Sequence, residues 1–216
     1  MTEVRRVLDG RSVFLSASIP DPRRWAGDFD ALEITDAVVA IGRSLLSAGA
    51  RLVTAAHPTI APLILYIAAE LPAGTEPAVV TYQSDVFDSV MPAETRRFEA
   101  DGIGIVIRTE AVEGEPPDPR LATQSLALMR RRMLTDTQPD AAVFIGGMEG
   151  IRAELELFNE LRPGVPTYPL GRPGGASREL SQSTSTPLRD LLVSGSVYPA
   201  IGRAIVEDIR RSRDTP

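Results

Sequence analysis

The sequence predicts a Rossmann-like α/β fold: a doubly wound, mostly parallel sheet with helices on both faces. Three observations carry that expectation. Short apolar runs of strand length alternate with longer amphipathic runs from one end of the chain to the other. Several of the short runs end in small, polar or glycine residues, at the place where an open α/β sheet keeps its ligand crevice. The stretch 141–154, AAVFIGGMEGIRAE, joins a continuous apolar strand to a helix through Gly146, Gly147 and Gly150. A glycine turn of this kind lets backbone approach a ligand and aims the first N–H groups of the helix at an anion. Phosphate is the anion this geometry suits, and the same glycines also serve a plain tight turn.

Composition narrows the possibilities. At 216 residues, with 43 % hydrophobic and 24 % charged side chains, one globular domain spanning 1–216 is expected. No apolar run reaches the length of a membrane helix; the longest, near 60–69, is interrupted by Pro62. The first twelve residues carry arginines but no following apolar region, so no signal peptide is read and a cytoplasmic location is expected. The chain has no cysteine, which removes disulfides and thiolate metal sites. A net charge of −6 gives no basic footprint, so nucleic acid is not an expected partner. All 23 basic residues are arginine. The chain therefore has neither a Schiff-base lysine nor a P-loop lysine, and any phosphate held by side-chain charge is held by arginine. With one histidine and no cysteine, no metal site is expected, and no cofactor is read from the sequence.

Taken in order, residues 12–16 (SVFLS) read as the first strand, followed by a Ser/Pro/Asp-rich turn. Ser16, Ala17 and Ser18 fall where that strand should open onto the crevice. Their hydroxyls suit a phosphate or ribose, and equally a local turn cap. Residues 29–46 form an amphipathic helix ended by Gly49. The second strand, 51–56, leads into His57-Pro58-Thr59 and a helix over 60–71 that tolerates Pro62 in its first turn. His57, placed at a strand end, can hydrogen-bond a ligand or act as a base, or merely satisfy a carbonyl; Thr59 shares its turn.

The third strand, 78–84, ends on Gln83 and Ser84, and a partly helical connection reaches a fourth strand at 103–108. An exposed Pro- and acid-rich loop then precedes a helix over 121–134 that carries Arg130, Arg131 and Arg132. Three consecutive arginines on a helix cannot share a face, so one can turn toward an anion while another stays solvated. After 141–145 and the glycine turn, which also holds Met148 and Glu149, Ile151, Leu155, Phe158 and Leu161 recur at helical spacing. A strand at 167–170 meets a second glycine turn at 171–177. The polar run SQSTSTPLRDLL reads as a loop or mobile lid, and an amphipathic helix over 200–210 precedes a frayed tail. Four strand ends thus carry ligand-type residues: Ser16/Ser18, His57/Thr59, Gln83/Ser84 and 146–150. In a parallel sheet all of them open onto one edge.

The ordered segments VFLSASIP, TAAHPTIAPL, ALMRRRML, FIGGMEGIRAE and PLGRPGGAS resemble the SLOG superfamily. That superfamily includes the LOG (Lonely Guy) phosphoribohydrolases, the DprA/Smf proteins and SLOG domains of bacterial signalling and conflict systems. The resemblance covers about residues 12–177 and is nearest to stand-alone SLOG domains. It implies a sensor or effector domain for a nucleotide derivative, NAD-derived or cyclic, in a signalling or antiphage-defence setting. It also implies homo-oligomers and a signalling-enzyme partner. LOG enzymes carry PGGxGTxxE and an arginine on the preceding helix, to which Gly146, Gly147, Gly150, Glu154 and Arg130 (failing that, Arg131) correspond. If the chain is a hydrolase of nucleotide N-glycosidic bonds, the resemblance makes Glu154 and Arg130 its catalytic residues. Three departures set it apart from LOG enzymes: one extra residue between the glycines, Ile145 and Ile151 in place of proline and threonine, and Ala55-Ala56-His57-Pro58 where LOG has a glycine-rich turn.

Overall fold

The computed structural model describes residues 6–71 and 77–212. Among these, six strands make one sheet: β1 (Ser12–Ser18), β2 (Arg51–Ala55), β3 (Val79–Ser84), β4 (Ile105–Thr109), β5 (Ala141–Gly146) and β6 (Thr167–Leu170). Their order is β4-β3-β2-β1-β5-β6, and every neighbouring pair is parallel. The chain therefore builds outward from β1 to β4, returns across the sheet, and continues from β5 on the other side. The helices are α1 (Ala31–Ser47), α2 (Ala61–Ala69), α3 (Ala93–Ala100), α4 (Thr123–Thr137), α5 (Glu149–Leu161), α6 (Ala176–Ser183), α7 (Arg189–Ser194) and α8 (Tyr198–Arg211), with a short 3₁₀ turn at Asp85–Val90.

Crossovers of one hand put α1, α2 and α3 on one face and α4 and α5 on the other, with α8 back against α1. Side-chain alternation along each strand then feeds two cores. Val13, Leu15, Leu52, Val143 and Ile145 pack against Ile34, Val38, Ile41 and Leu45 of α1 and against Ile201, Ile205 and Ile209 of α8. Phe14, Val53, Val80, Tyr82 and Phe144 point the opposite way, onto Met129, Met133 and Leu134 of α4 and Ile151 and Phe158 of α5. Phe14 anchors the second core, stacked on Phe158 with centroids 6.3 Å apart and edge-on to Phe144 at 5.9 Å. No helix among the described residues is long and apolar enough to cross a membrane.

Several boundaries move for identifiable reasons. β1 runs two residues past the expected end, because its pairing with β5 continues to Ser18 opposite Gly146. α4 begins at Thr123 rather than 121 and runs on to Thr137. The acidic loop before it contributes a cap: the Glu115 carboxylate accepts from the N–H groups of Gln124 and Ser125 at 2.9 and 2.8 Å. The run expected as a loop or lid is instead mostly helical, forming the end of α6 and α7. Its serines misled the reading, since they return hydrogen bonds to main-chain carbonyls, as Ser181 does to Arg178 at 2.7 Å, and so tolerate burial. Of the expected frayed tail, residues 213–216 lie outside the described residues.

Candidate functional site

The strand order reverses between β1 and β5, and in a doubly wound sheet the crevice opens at that point, beyond the strands' carboxyl ends. Ser18 and Gly146 face one another there in register, and the Gly147 N–H donates to the Ser18 carbonyl at 2.7 Å. The first glycine turn is thus fastened to the end of β1. The second glycine turn closes on top of it: Ala176 N–H donates to the Gly147 carbonyl at 2.8 Å, and Ser177 Oγ accepts from Gly146 N–H at 2.9 Å while donating to the Leu170 carbonyl at 2.6 Å. A side chain on Gly175 would come within 2.5–2.8 Å of three backbone atoms of Gly146 and Gly147, so only glycine permits this approach.

Four separate elements deliver side chains to one place beside this turn. Ser16 lies two residues beyond Phe14 and therefore on the same face of β1, where α4 and α5 pack. Its hydroxyl donates to Glu154 Oε2 at 2.5 Å, and Arg130 Nε of α4 donates to Glu154 Oε1 at 2.8 Å. The Glu154 and Arg130 side chains are only 10 % and 21 % exposed, so the pair is largely withdrawn from water. Buried ion pairs are costly to assemble, and a crevice is where that cost points to chemistry. His57, at the end of β2, is near enough for the Glu154 charge to act on it. Burial pushes the imidazole below its ordinary 6.5, and Glu154 opposes that shift. At neutral pH the ring is therefore uncharged. Thr59 Oγ1 lies 3.0 Å from His57 Nδ1, which fixes the ring's orientation.

The glycine turn runs straight into α5, whose Met148 cap position makes no side-chain hydrogen bond. First-turn N–H groups have no partner within a helix, so residues 148–150 present donors to the crevice. The Arg130 guanidinium lies over them: a methyl on Gly150 would sit 3.1 Å from Nη2. Main-chain donors and one arginine thus share an edge where a phosphate can be gripped from two sides.

The sequence-predicted residues divide cleanly. Ser16, His57, Arg130, Glu154 and the turn 146–150 meet at the switch point, with Ser18 and Thr59 beside them. Ala17 turns its side chain into the opposite core and offers the crevice backbone alone. Glu149 is exposed and lies 3.6 Å from Arg152. Ser84 sits apart, fully buried at the end of β3, opposite Thr109 and with β2 between it and β1. Sequence reasoning did not single out Ser177, Trp25 or Arg152. Ser177 was present in the second glycine turn, but its role as a clasp exists only once the two turns meet.

The strand order, the crossovers and the reversal at β1/β5 define a Rossmann-like α/β domain of the doubly wound type. The chain belongs to the SLOG cluster3 family, whose model matches residues 24–201. The X-ray structure of the Northeast Structural Genomics Consortium target TM1055 has a similar fold, with a TM-score of 0.52 and 18 % identity over 81 % of this chain and 82 % of that one. No curated protein gives a significant match.

Proposed function

We propose that this SLOG domain binds a phosphorylated nucleotide derivative, NAD-derived or cyclic, and acts as a sensor or effector module. The observation that carries the reading is the convergence of Ser16, His57, Arg130 and Glu154 on the glycine turn that opens α5. In this reading the N–H groups of 148–150 and the Arg130 guanidinium hold phosphate. Ser16, Ser18 and His57 contact phosphate or ribose, and Thr59 steadies the imidazole. Ser84 takes part only if the ligand reaches past β2. In the same reading the domain assembles into homo-oligomers and acts with a signalling-enzyme partner, with the crevice as the input site. Measuring mass by light scattering with and without AMP tests whether binding changes assembly.

A second reading is favoured by Glu154. A carboxylate 10 % exposed, oriented by Arg130 and Ser16, is placed to stabilise positive charge on a ribose C1′. In that reaction the C1′–N bond breaks with its electron pair leaving on the base, water oxygen bonds C1′, and a water proton ends on the base. Incubation with AMP and with NAD separates the two readings. Sustained release of free base, abolished in Glu154→Ala, assigns the enzyme; binding without release assigns the sensor. A bound nucleotide at about 100 times its Kd raises native stability by about 2.7 kcal/mol. No thermal shift with any nucleotide, and no molecule co-purifying by mass spectrometry, would sink both.

A further inference from the structure

The loop between β1 and α1 crosses the rim of the crevice and is pinned on the side of the second glycine turn. Gly175 N–H donates to the Asp28 carbonyl at 3.0 Å, Asp30 N–H donates to the Pro173 carbonyl at 3.0 Å, and Phe29 bridges Gly174. Arg24, in the same loop, acts electrostatically on Asp118 of the segment before α4. The loop therefore spans from the α6 side of the crevice toward the α4 side. In it sits Trp25, the chain's one tryptophan.

Trp25 is not a core residue. It belongs to neither hydrophobic core, and Arg24, Ala26 and Gly27 around it are exposed. Its indole N–H is nevertheless buried, against Gly27, and has no hydrogen-bond partner among the described residues. A buried donor left unpaired is costly, and native proteins keep few of them. The Arg152 guanidinium lies over the indole, its carbon 5.8 Å from the ring centroid. That is at the outer edge of the roughly 6 Å range of a cation–π contact, so the hold is loose. Arg152 does not depend on it for charge balance: it pairs with Glu179 at 2.8 Å and lies 3.6 Å from Glu149. Arg152 stands on α5 one turn beyond Met148, so the indole lies a short way from the proposed phosphate cradle.

We propose that Trp25 is the platform on which the ligand's heteroaromatic base stacks, displacing the Arg152 guanidinium from the indole face. A flat base is a better partner for the indole face than a loosely held guanidinium. The inference rests on the nucleotide reading above and adds to it the residue that reads the base. Phosphate and ribose are then recognised on the β5–α5 side, and the base on the β1–α1 loop.

Because Trp25 is the chain's one tryptophan, its emission reports on this contact directly. The test is a titration of the full chain with AMP and with ribose 5-phosphate, which lacks the base, followed by tryptophan emission and by calorimetry. AMP is expected to quench the emission strongly and ribose 5-phosphate to leave it nearly unchanged. Trp25→Ala is expected to weaken AMP about tenfold or more, the effect of losing one stacked base, while ribose 5-phosphate affinity stays within about twofold. Trp25→Phe should keep most of the AMP affinity, which distinguishes lost stacking from a collapsed loop. If AMP binds wild type and Trp25→Ala equally, or if both ligands weaken together, the base platform is wrong and the nucleotide reading stands. If neither AMP nor any other nucleotide binds the wild-type chain, both are wrong.

Discussion

Glu154 accepts hydrogen bonds from two sides, and its truncation should be felt by both donors. Glu154→Ala leaves Arg130 with 21 % exposure and no carboxylate. The expected loss is roughly 1–3 kcal/mol, less than the about 3–5 kcal/mol of a fully buried pair because water reaches the guanidinium. Arg130→Ala should cost a similar amount, and the double variant less than the sum. Urea denaturation measures this, and strictly additive losses would refute the coupling. His57 predicts a pH dependence whose sign follows from its lowered affinity for protons. Below 6.5 the unfolded chain takes up a proton on this ring before the native chain does, so native stability falls with pH in that range and is fully regained above it. The difference in melting temperature between wild type and His57→Gln should therefore change between pH 7 and pH 5.5. A constant difference would show that the ring titrates normally. The helix periodicity left one inward place among three neighbouring arginines, and only the family resemblance favoured Arg130, with Arg131 second. Only the packing of α4 against α5 turns Arg130 to Glu154 and leaves Arg131 to Glu160, at 3.0 Å on the surface.

At the scale of elements, the two glycine turns work as one unit. Gly175 has φ +67°, and a Cβ there would strike the backbone of Gly146 and Gly147, which cannot yield as a side chain can. Gly175→Ala is expected to destabilise the chain by more than about 1 kcal/mol and to weaken nucleotide binding with it, since the clash is transmitted straight to the cradle. Unchanged thermal stability in this variant would contradict the docking of one turn on the other. Strands and the amphipathic helices α1, α5 and α8 were readable because their apolar periods are strong. α6 was not, because its burial depends on serines whose hydroxyls bond back to the main chain, and α7 was not, because it is short and buries only Leu192 fully.

For the whole molecule, one sheet whose two faces are both covered argues for a single cooperative domain. Calorimetric and van't Hoff enthalpies of unfolding are expected to agree, and two resolved transitions would overturn the one-domain reading. The same architecture explains why the crevice lies where it does. Crossovers of one hand force the helices to change faces when the strand order reverses, and the gap between β1 and β5 is left open at their carboxyl ends.

The sequence by itself determined the fold class, the strand ends that carry polar and glycine residues, and the glycine turn before α5. Periodicity and turn residues are local, and local patterns are written directly in the chain. Tertiary structure decided which of those strand ends meet. It brought Ser16, separated by 138 positions from Glu154, within 2.5 Å of it, and it left Ser84 buried on the far side of β2. It also set Arg152 of α5 over Trp25 of the β1–α1 loop, far away in the chain. Strand order and helix packing settle such pairings, and they are properties of the assembled sheet that no single segment contains.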